Sequence, residues 1–91
     1  MQASDPEAVA RRVGRRIAEL RRKRGLTQEA FAEVLDVSVQ YVRRVEYAQT
    51  NLTIPALVRV ANALACRVTT LFTAPKTMAV KVGRPRKPKA R

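Results

Sequence analysis

Four polar side chains near the middle of the chain have the chemistry to bind bases or phosphates. They are Gln40, Tyr41, Arg43 and Arg44. Val42 and Val45 lie three residues apart, which places both on one face of a helix. The polar side chains are then left to face solvent or a ligand. Arginine bonds the O6 and N7 atoms of guanine, and glutamine bonds adenine, in each case through two hydrogen bonds. This stretch therefore has the composition of a helix that contacts base edges.

The helix that carries these side chains is predicted over residues 39–47, with Ser38 as its N-cap. A preceding helix is predicted over residues 28–35, with Thr27 as its N-cap. Its inward positions are Phe31, Ala32 and Leu35, and Val37 in the turn is expected to pack beside them. Two short helices joined by a tight turn form the geometry in which the first crosses a DNA backbone and the second enters the major groove.

Three further helices are predicted around this pair. The first begins at Pro6, is capped by Asp5 or Ser4, and ends near Arg24, before Gly25. A fourth follows the N-cap Thr53, and a short fifth covers residues 67–72. The expected buried stripe of the fourth helix is Ile54, Leu57, Val58, Ala61 and Leu64. The predicted fold class is all-α: a compact five-helix domain over residues 8–74, followed by a flexible, disordered basic tail over residues 75–91.

The charge of the chain predicts a polyanionic partner. Nineteen Lys and Arg residues against seven Asp and Glu give a net charge of +12, which favours nucleic acid first and an anionic membrane surface second. Residues 1–75 hold twelve of the basic residues and all seven acids, and residues 76–91 hold the other seven basic residues. The tail therefore carries more than half of the excess charge.

Several classes of function are excluded by composition. Cys66 is the single cysteine and there is no histidine, so an internal disulfide, a zinc site and histidine acid–base catalysis are not expected. No apolar run approaches the roughly 18–20 residues of a membrane span, and residues 1–12 lack a secretory apolar core. We therefore expect a cytoplasmic protein without metal or cofactor that is not an enzyme.

Three stretches of the chain resemble the Cro/C1-type helix-turn-helix family, the XRE-like and phage-repressor-like regulators. They are IAELRRKRGLTQEAFAEVLDVS, VRRVE and IPALVRVANALA, within residues 14–72. The resemblance implies a five-helix fold that regulates transcription by binding double-stranded DNA. It implies base contacts from Val39, Gln40 and Arg44, with Ser38, Tyr41 and Arg43 nearby. It also implies phosphate contacts from Gln28, Gln49 and Asn51, and a structural salt bridge between Arg21 and Glu46.

The chain departs from the family pattern at a few positions. Asp36 stands where glycine is usual in the turn between the helices, and it tolerates a left-handed backbone. Ala48 and Ala65 replace glycines that usually follow the third and fourth helices, so a different local geometry is expected there. Val39 is commonly polar in relatives, which favours contact with a thymine methyl group over a hydrogen bond.

The tail contains a second motif, GRPRK, over residues 83–87. It resembles the AT-hook, in which the central Gly-Arg-Pro lies extended in the minor groove of A/T-rich DNA. The predicted contacts are Arg84, Pro85, Arg86 and Lys87. A basic tail that only adds phosphate contacts, or a localisation or membrane-surface signal, remains as the alternative.

The sequence as a whole predicts a sequence-specific regulator that binds DNA as a homodimer in a bacterial or phage-infected cell, associated with the nucleoid. Three alternatives remain open. The protein could be the antitoxin of a toxin–antitoxin pair, an architectural protein on A/T-rich DNA, or a coactivator that bridges to the transcription machinery. The protein partner would be a toxin in the first case and the transcription machinery in the last.

Overall fold

Residues 5–76 form four α-helices and one 3-10 helix. The computed structural model describes residues 5–76. The elements are α1 (Pro6–Lys23), α2 (Gln28–Leu35), α3 (Val39–Glu46), α4 (Ile54–Ala63) and the 3-10 helix (Val68–Phe72). These residues contain no strand, so the all-α prediction is confirmed for this part of the chain. The predicted tail lies outside the described residues.

The helix starts follow the capping residues of the sequence. The side chains of Asp5, Thr27, Ser38 and Thr53 each accept a hydrogen bond from a backbone N–H in the first turn of α1, α2, α3 and α4, respectively. Because each bond satisfies one of the N–H groups that have no partner within the helix, these residues fix where the helices begin.

All four helices end in one motif, a residue with a left-handed backbone. Gly25, Asp36, Ala48 and Ala65 have φ between 56° and 73°. The N–H that follows each of them bonds a carbonyl five residues earlier, as in Gln49 N to Arg44 O at 2.7 Å and Cys66 N to Ala61 O at 3.0 Å. The expectation of different geometry at Ala48 and Ala65 is therefore wrong. The alanines keep the glycine conformation at a cost of roughly 1–2 kcal/mol each.

The core lies where α1, α2, α3 and the 3-10 helix meet. Its largest fully buried side chains are Phe31, Ile17, Leu71 and Val42, one from each of these elements. α3 packs on α1 and α2, while α4 packs on α2 and the 3-10 helix. The helix pair is thus held on one side of the domain by α1 and α4.

Some sequence expectations for individual elements are wrong. The fifth helix is a 3-10 helix of five residues, and five residues with two central threonines are too few for a stable α-helical segment. Ile54 and Val58 are exposed because α4 turns Ala56, Leu57, Val60 and Ala61 inward instead. Val37, also predicted to pack, is 37% exposed, and Phe72 in the 3-10 helix is 53% exposed.

Candidate nucleic-acid interface

Helix α3 separates a buried apolar face from an exposed basic one. Val42 and Val45 are 1% and 4% exposed, whereas Gln40, Arg43 and Arg44 all face solvent. Val39 and Tyr41 are half-buried at the boundary and pack against the core cluster. The exposed side chains project from a helix whose opposite face packs against the core, so the core holds the backbone that carries them.

Glu46 fixes the end of α3 through three N–H donors. Its carboxylate accepts bonds from Arg21 Nε at 2.6 Å and Arg21 Nη2 at 3.2 Å. It also accepts a bond from Gln28 Nε2 at 3.0 Å. Glu46 is 2% exposed and Arg21 is 7% exposed, so this salt bridge is buried. The cluster ties α3 to α1 and to the first residue of α2.

Arg15 is a further buried cation that the sequence did not identify. One of its guanidinium nitrogens, Nη2, donates to the backbone carbonyl of Glu46, and its Cζ lies 5.0 Å from the centre of the Tyr47 ring, a cation–π distance. Burial lowers the pKa of Arg15, while the charge of Glu46 raises it; arginine nevertheless remains charged in proteins. Its charge also complements the partial negative charge at the carboxyl end of α3.

Gly14 lets α1 approach α3 at this end. A Cβ atom at Gly14 would lie 2.7 Å from the carbonyl oxygen of Glu46 and 2.8 Å from that of Val45. Real Cβ atoms do not come so close to backbone oxygens, so any larger residue would push the helices apart. A glycine inside a helical pattern indicates close packing. The sequence alone does not show which helix packs against Gly14.

Two of the predicted DNA contacts, Gln28 and Ser38 at the starts of α2 and α3, already have structural roles. Gln28 is half-buried and uses one amide N–H on Glu46, which leaves its second N–H as a donor. The Ser38 oxygen accepts the bond from Tyr41 N at 3.0 Å, and its O–H remains a donor. Both groups can therefore contact a phosphate without breaking the bonds observed.

The loop after α3 continues the same polar surface. Tyr47, Gln49 and Asn51 are exposed and Thr50 is half-buried. The left-handed residue Ala48 turns the chain away from the helix axis, so this loop lies beside the carboxyl end of α3. Gln49 and Asn51 therefore lie at the surface just beyond the carboxyl end of α3, and their contact with phosphates stays a prediction.

Arg84, Pro85, Arg86 and Lys87, the predicted minor-groove contacts, lie outside the described residues. Within residues 5–76, none of the helices combines the length and the apolar character needed to cross a lipid bilayer.

The comparisons with known proteins point to one family. The profile of the HTH_3 helix-turn-helix family matches residues 17–71 of the 91 in the chain. The chain belongs to this family. The matched region includes α2, α3 and α4 and both members of the Arg21–Glu46 bridge. Gly14 and Arg15 lie just before the matched region.

Part of the chain is also similar to named transcriptional regulators. The HTH-type transcriptional regulator PrpR of Mycobacterium tuberculosis is 48% identical over 44 residues, which are 48% of this chain and 9% of PrpR. The chain thus spans about a tenth of the length of the curated relatives it matches.

Two solved structures share the fold across nearly their whole length. The restriction-modification controller protein C.AhdI of Aeromonas hydrophila has a TM-score of 0.66 and 32% identity, and the match covers 71% of this chain and 97% of C.AhdI. The biofilm master regulator SinR, solved in complex with DNA, has a TM-score of 0.62 and 32% identity, and the match covers 67% of this chain and 98% of SinR.

Proposed function

We propose that this protein is a transcriptional regulator that binds specific double-stranded DNA sequences with α3 in the major groove. The observation that carries the proposal is the exposed set Gln40, Arg43 and Arg44 on a helix held rigidly from behind. Membership of the HTH_3 family supports DNA-binding regulation, and so do the relatives named as transcriptional regulators. SinR was solved on DNA, which supports the same ligand for this chain.

The proposed contacts divide into base reading and phosphate binding. Base edges are read by Val39, Gln40 and Arg44, with Tyr41 and Arg43 beside them. Phosphates are bound by Gln28, Ser38, Gln49 and Asn51. Phosphate contacts set the register of the protein on the duplex, whereas base contacts provide the sequence preference. The proposed function includes no metal, cofactor or catalytic step.

The active form proposed is a homodimer. Ile54 and Val58 lie four residues apart on α4 and are exposed, as is Phe72 of the 3-10 helix. Clustered exposed apolar side chains can mark a protein–protein contact, and the proposed partner is a second copy of the chain. A two-fold dimer requires two half-sites about one helical turn apart. Binding to DNA places the protein in the bacterial cytoplasm, at the nucleoid.

One other function is favoured by a specific feature of the chain. The GRPRK motif at residues 83–87 suits the minor groove of A/T-rich DNA, as expected of an architectural protein that coats such DNA. In the proposed regulator the same motif binds a neighbouring minor groove, in addition to the binding of α3 in the major groove.

Selection of bound duplexes from a random pool tests the proposed function. The purified full chain is expected to enrich one two-fold symmetric motif and to give a discrete nuclease footprint on a fragment that contains it. Enrichment of A/T content without a motif, together with protection spread along the fragment, would show an architectural protein. Failure to enrich any duplex would contradict DNA binding as the function of this protein.

A further inference from the structure

A cleft lies between the first turns of α1 and the loop that follows α3. Its volume is about 490 Å³. The residues that line it are Pro6, Glu7, Ala10, Arg11 and the segment 47–51. The family region begins at residue 17, so the α1 wall of this cleft belongs to the part of the chain that precedes it. We call this feature the α1–loop cleft.

Arg11 provides a cation on the α1 wall. It is exposed and lies four residues before Arg15, so the two side chains share one face of the helix. Neither of the salt bridges found within residues 5–76 involves Arg11. Its guanidinium is therefore available to a ligand that enters the cleft.

The loop wall provides neutral donors in a fixed backbone. Gln49, Thr50 and Asn51 have amide or hydroxyl groups that donate hydrogen bonds. Two contacts hold this wall in place: the 2.7 Å bond from Gln49 N to Arg44 O and the stacking of Tyr47 on Arg15. One guanidinium opposite several neutral donors is the combination that proteins use for phosphate oxygens.

The charges around the α1–loop cleft favour an anion. Glu7 lines it and is negative, while Arg11 in the wall and Arg15 beneath Tyr47 are positive. Arg15 donates to a backbone carbonyl, and the carboxylate of Glu46 is bonded by Arg21 and Gln28 instead. The charges of Glu7, Arg11 and Arg15 therefore sum to one positive charge.

We propose that the α1–loop cleft binds a phosphate of the DNA backbone beyond the base pairs read by α3, with Arg11 as its charged ligand. The inference rests on the proposed function, because the loop wall begins at Tyr47, the residue that caps the carboxyl end of α3. A duplex held by α3 and by Gln49 and Asn51 passes this edge of the domain. The cleft would add one phosphate contact for each protein chain and would not affect base preference.

The test compares Arg11→Gln with wild type in the full chain. The probes are a selected duplex and a scrambled duplex of the same composition, each roughly three helical turns long. We expect Arg11→Gln to weaken binding to both probes by the same factor, about three- to tenfold near 0.1 M salt. The slope of log K against log salt should fall by about 0.9 for each site occupied. Arg67→Gln is the matched control, because Arg67 is an exposed arginine at the start of the 3-10 helix, which packs on α1 and α4.

Two further measurements test whether a lost phosphate contact in the cleft causes the weaker binding of Arg11→Gln. Glu7→Gln removes the negative charge from the cleft and is expected to tighten binding by about twofold, the range of an exposed charge pair. Replacing the duplex phosphates one at a time by neutral methylphosphonates should reveal one flanking position that weakens wild type but not Arg11→Gln.

The outcomes separate this inference from the proposed function. Equal affinities of wild type and Arg11→Gln, or equal losses in Arg11→Gln and Arg67→Gln, overturn the phosphate site while leaving base reading by α3 intact. A wild-type protein that binds neither probe overturns the proposed function itself.

Discussion

Glu46, the last residue of α3, carries a buried negative charge. Arg21 and Gln28 bond its carboxylate, and Arg15 bonds its backbone carbonyl. A buried pair is not a large source of stability in itself, since removing two charges from water is costly. Removing one partner of the pair destabilises the fold much more, because the other charge stays buried without a counter-charge. Glu46 therefore matters chiefly for where α3 lies relative to α1 and α2.

Glu46→Gln is predicted to lower the free energy of unfolding by about 3 kcal/mol, because it leaves the Arg21 guanidinium buried without a counter-charge. Urea denaturation measures the change. Glu33→Gln, on the exposed face of α2, is the control and is expected to stay within about 0.5 kcal/mol of wild type. A loss in Glu46→Gln no larger than in the control would mean that the bridge does not organise the helix pair.

At the scale of single residues, the sequence predicted the outward set on α3 and did not predict Arg15. Val42 and Val45 define the inward face of α3, so Gln40, Arg43 and Arg44 could be placed from spacing alone. Arg15 is one of seven basic residues on α1. The helical pattern cannot tell which of them meets the end of another helix, because that depends on how closely Gly14 lets the helices approach.

The ends of the helices determine the path of the chain around the interface. Ala48 has a φ of 59° and sets the direction in which the loop leaves α3 toward the α1–loop cleft. An L-residue with a side chain is strained in this conformation, whereas glycine is not. The four N-caps were predictable from residue type, but alanine carries no signal for a left-handed turn, so the turns at Ala48 and Ala65 were not.

Ala48→Gly is predicted to stabilise the protein by about 1 kcal/mol, because the relief of strain exceeds the entropy lost by glycine on folding. Thermal unfolding should show a rise in Tm of about 4–8 °C for a domain of this size. Ala10→Gly, in the exposed interior of α1, has no strain to relieve and should lower stability by about 0.5–1 kcal/mol. Destabilisation by both substitutions would refute the strained turn.

The whole molecule combines a folded basic domain with a stretch that is more basic still. The fold class followed from helical spacing, N-caps and the family resemblance. The outward position of Ile54 and the 3-10 form of residues 68–72 did not, because they depend on how α4 packs against its neighbours. Residues 77–91 add six Lys and Arg and no acid. The salt dependence of DNA binding therefore measures their contribution.

Deletion of residues 77–91 is predicted to weaken DNA binding and to reduce its salt slope by up to about 5, the value for six lost phosphate contacts. It should also remove any preference for A/T-flanked over G/C-flanked sites. The variant Arg84→Lys/Arg86→Lys keeps the charge and should keep the slope, but it should lose the A/T preference because lysine lacks the planar guanidinium. Equal flank preference in the deleted and the intact chain would show that the tail is not a minor-groove hook.

Base reading by the outer face of α3 is tested most directly by the sequence preference of Arg44→Ala. The measurement is the ratio of affinities for the selected duplex and for duplexes with each base pair changed in turn, in wild type, Arg44→Ala and the control Arg67→Ala. We predict that Arg44→Ala loses roughly 1–3 kcal/mol on the selected duplex and relaxes the preference at one position per half-site, while the control keeps both. An Arg44→Ala protein that retains the full wild-type preference at every position would contradict the assignment of α3 as the reading helix.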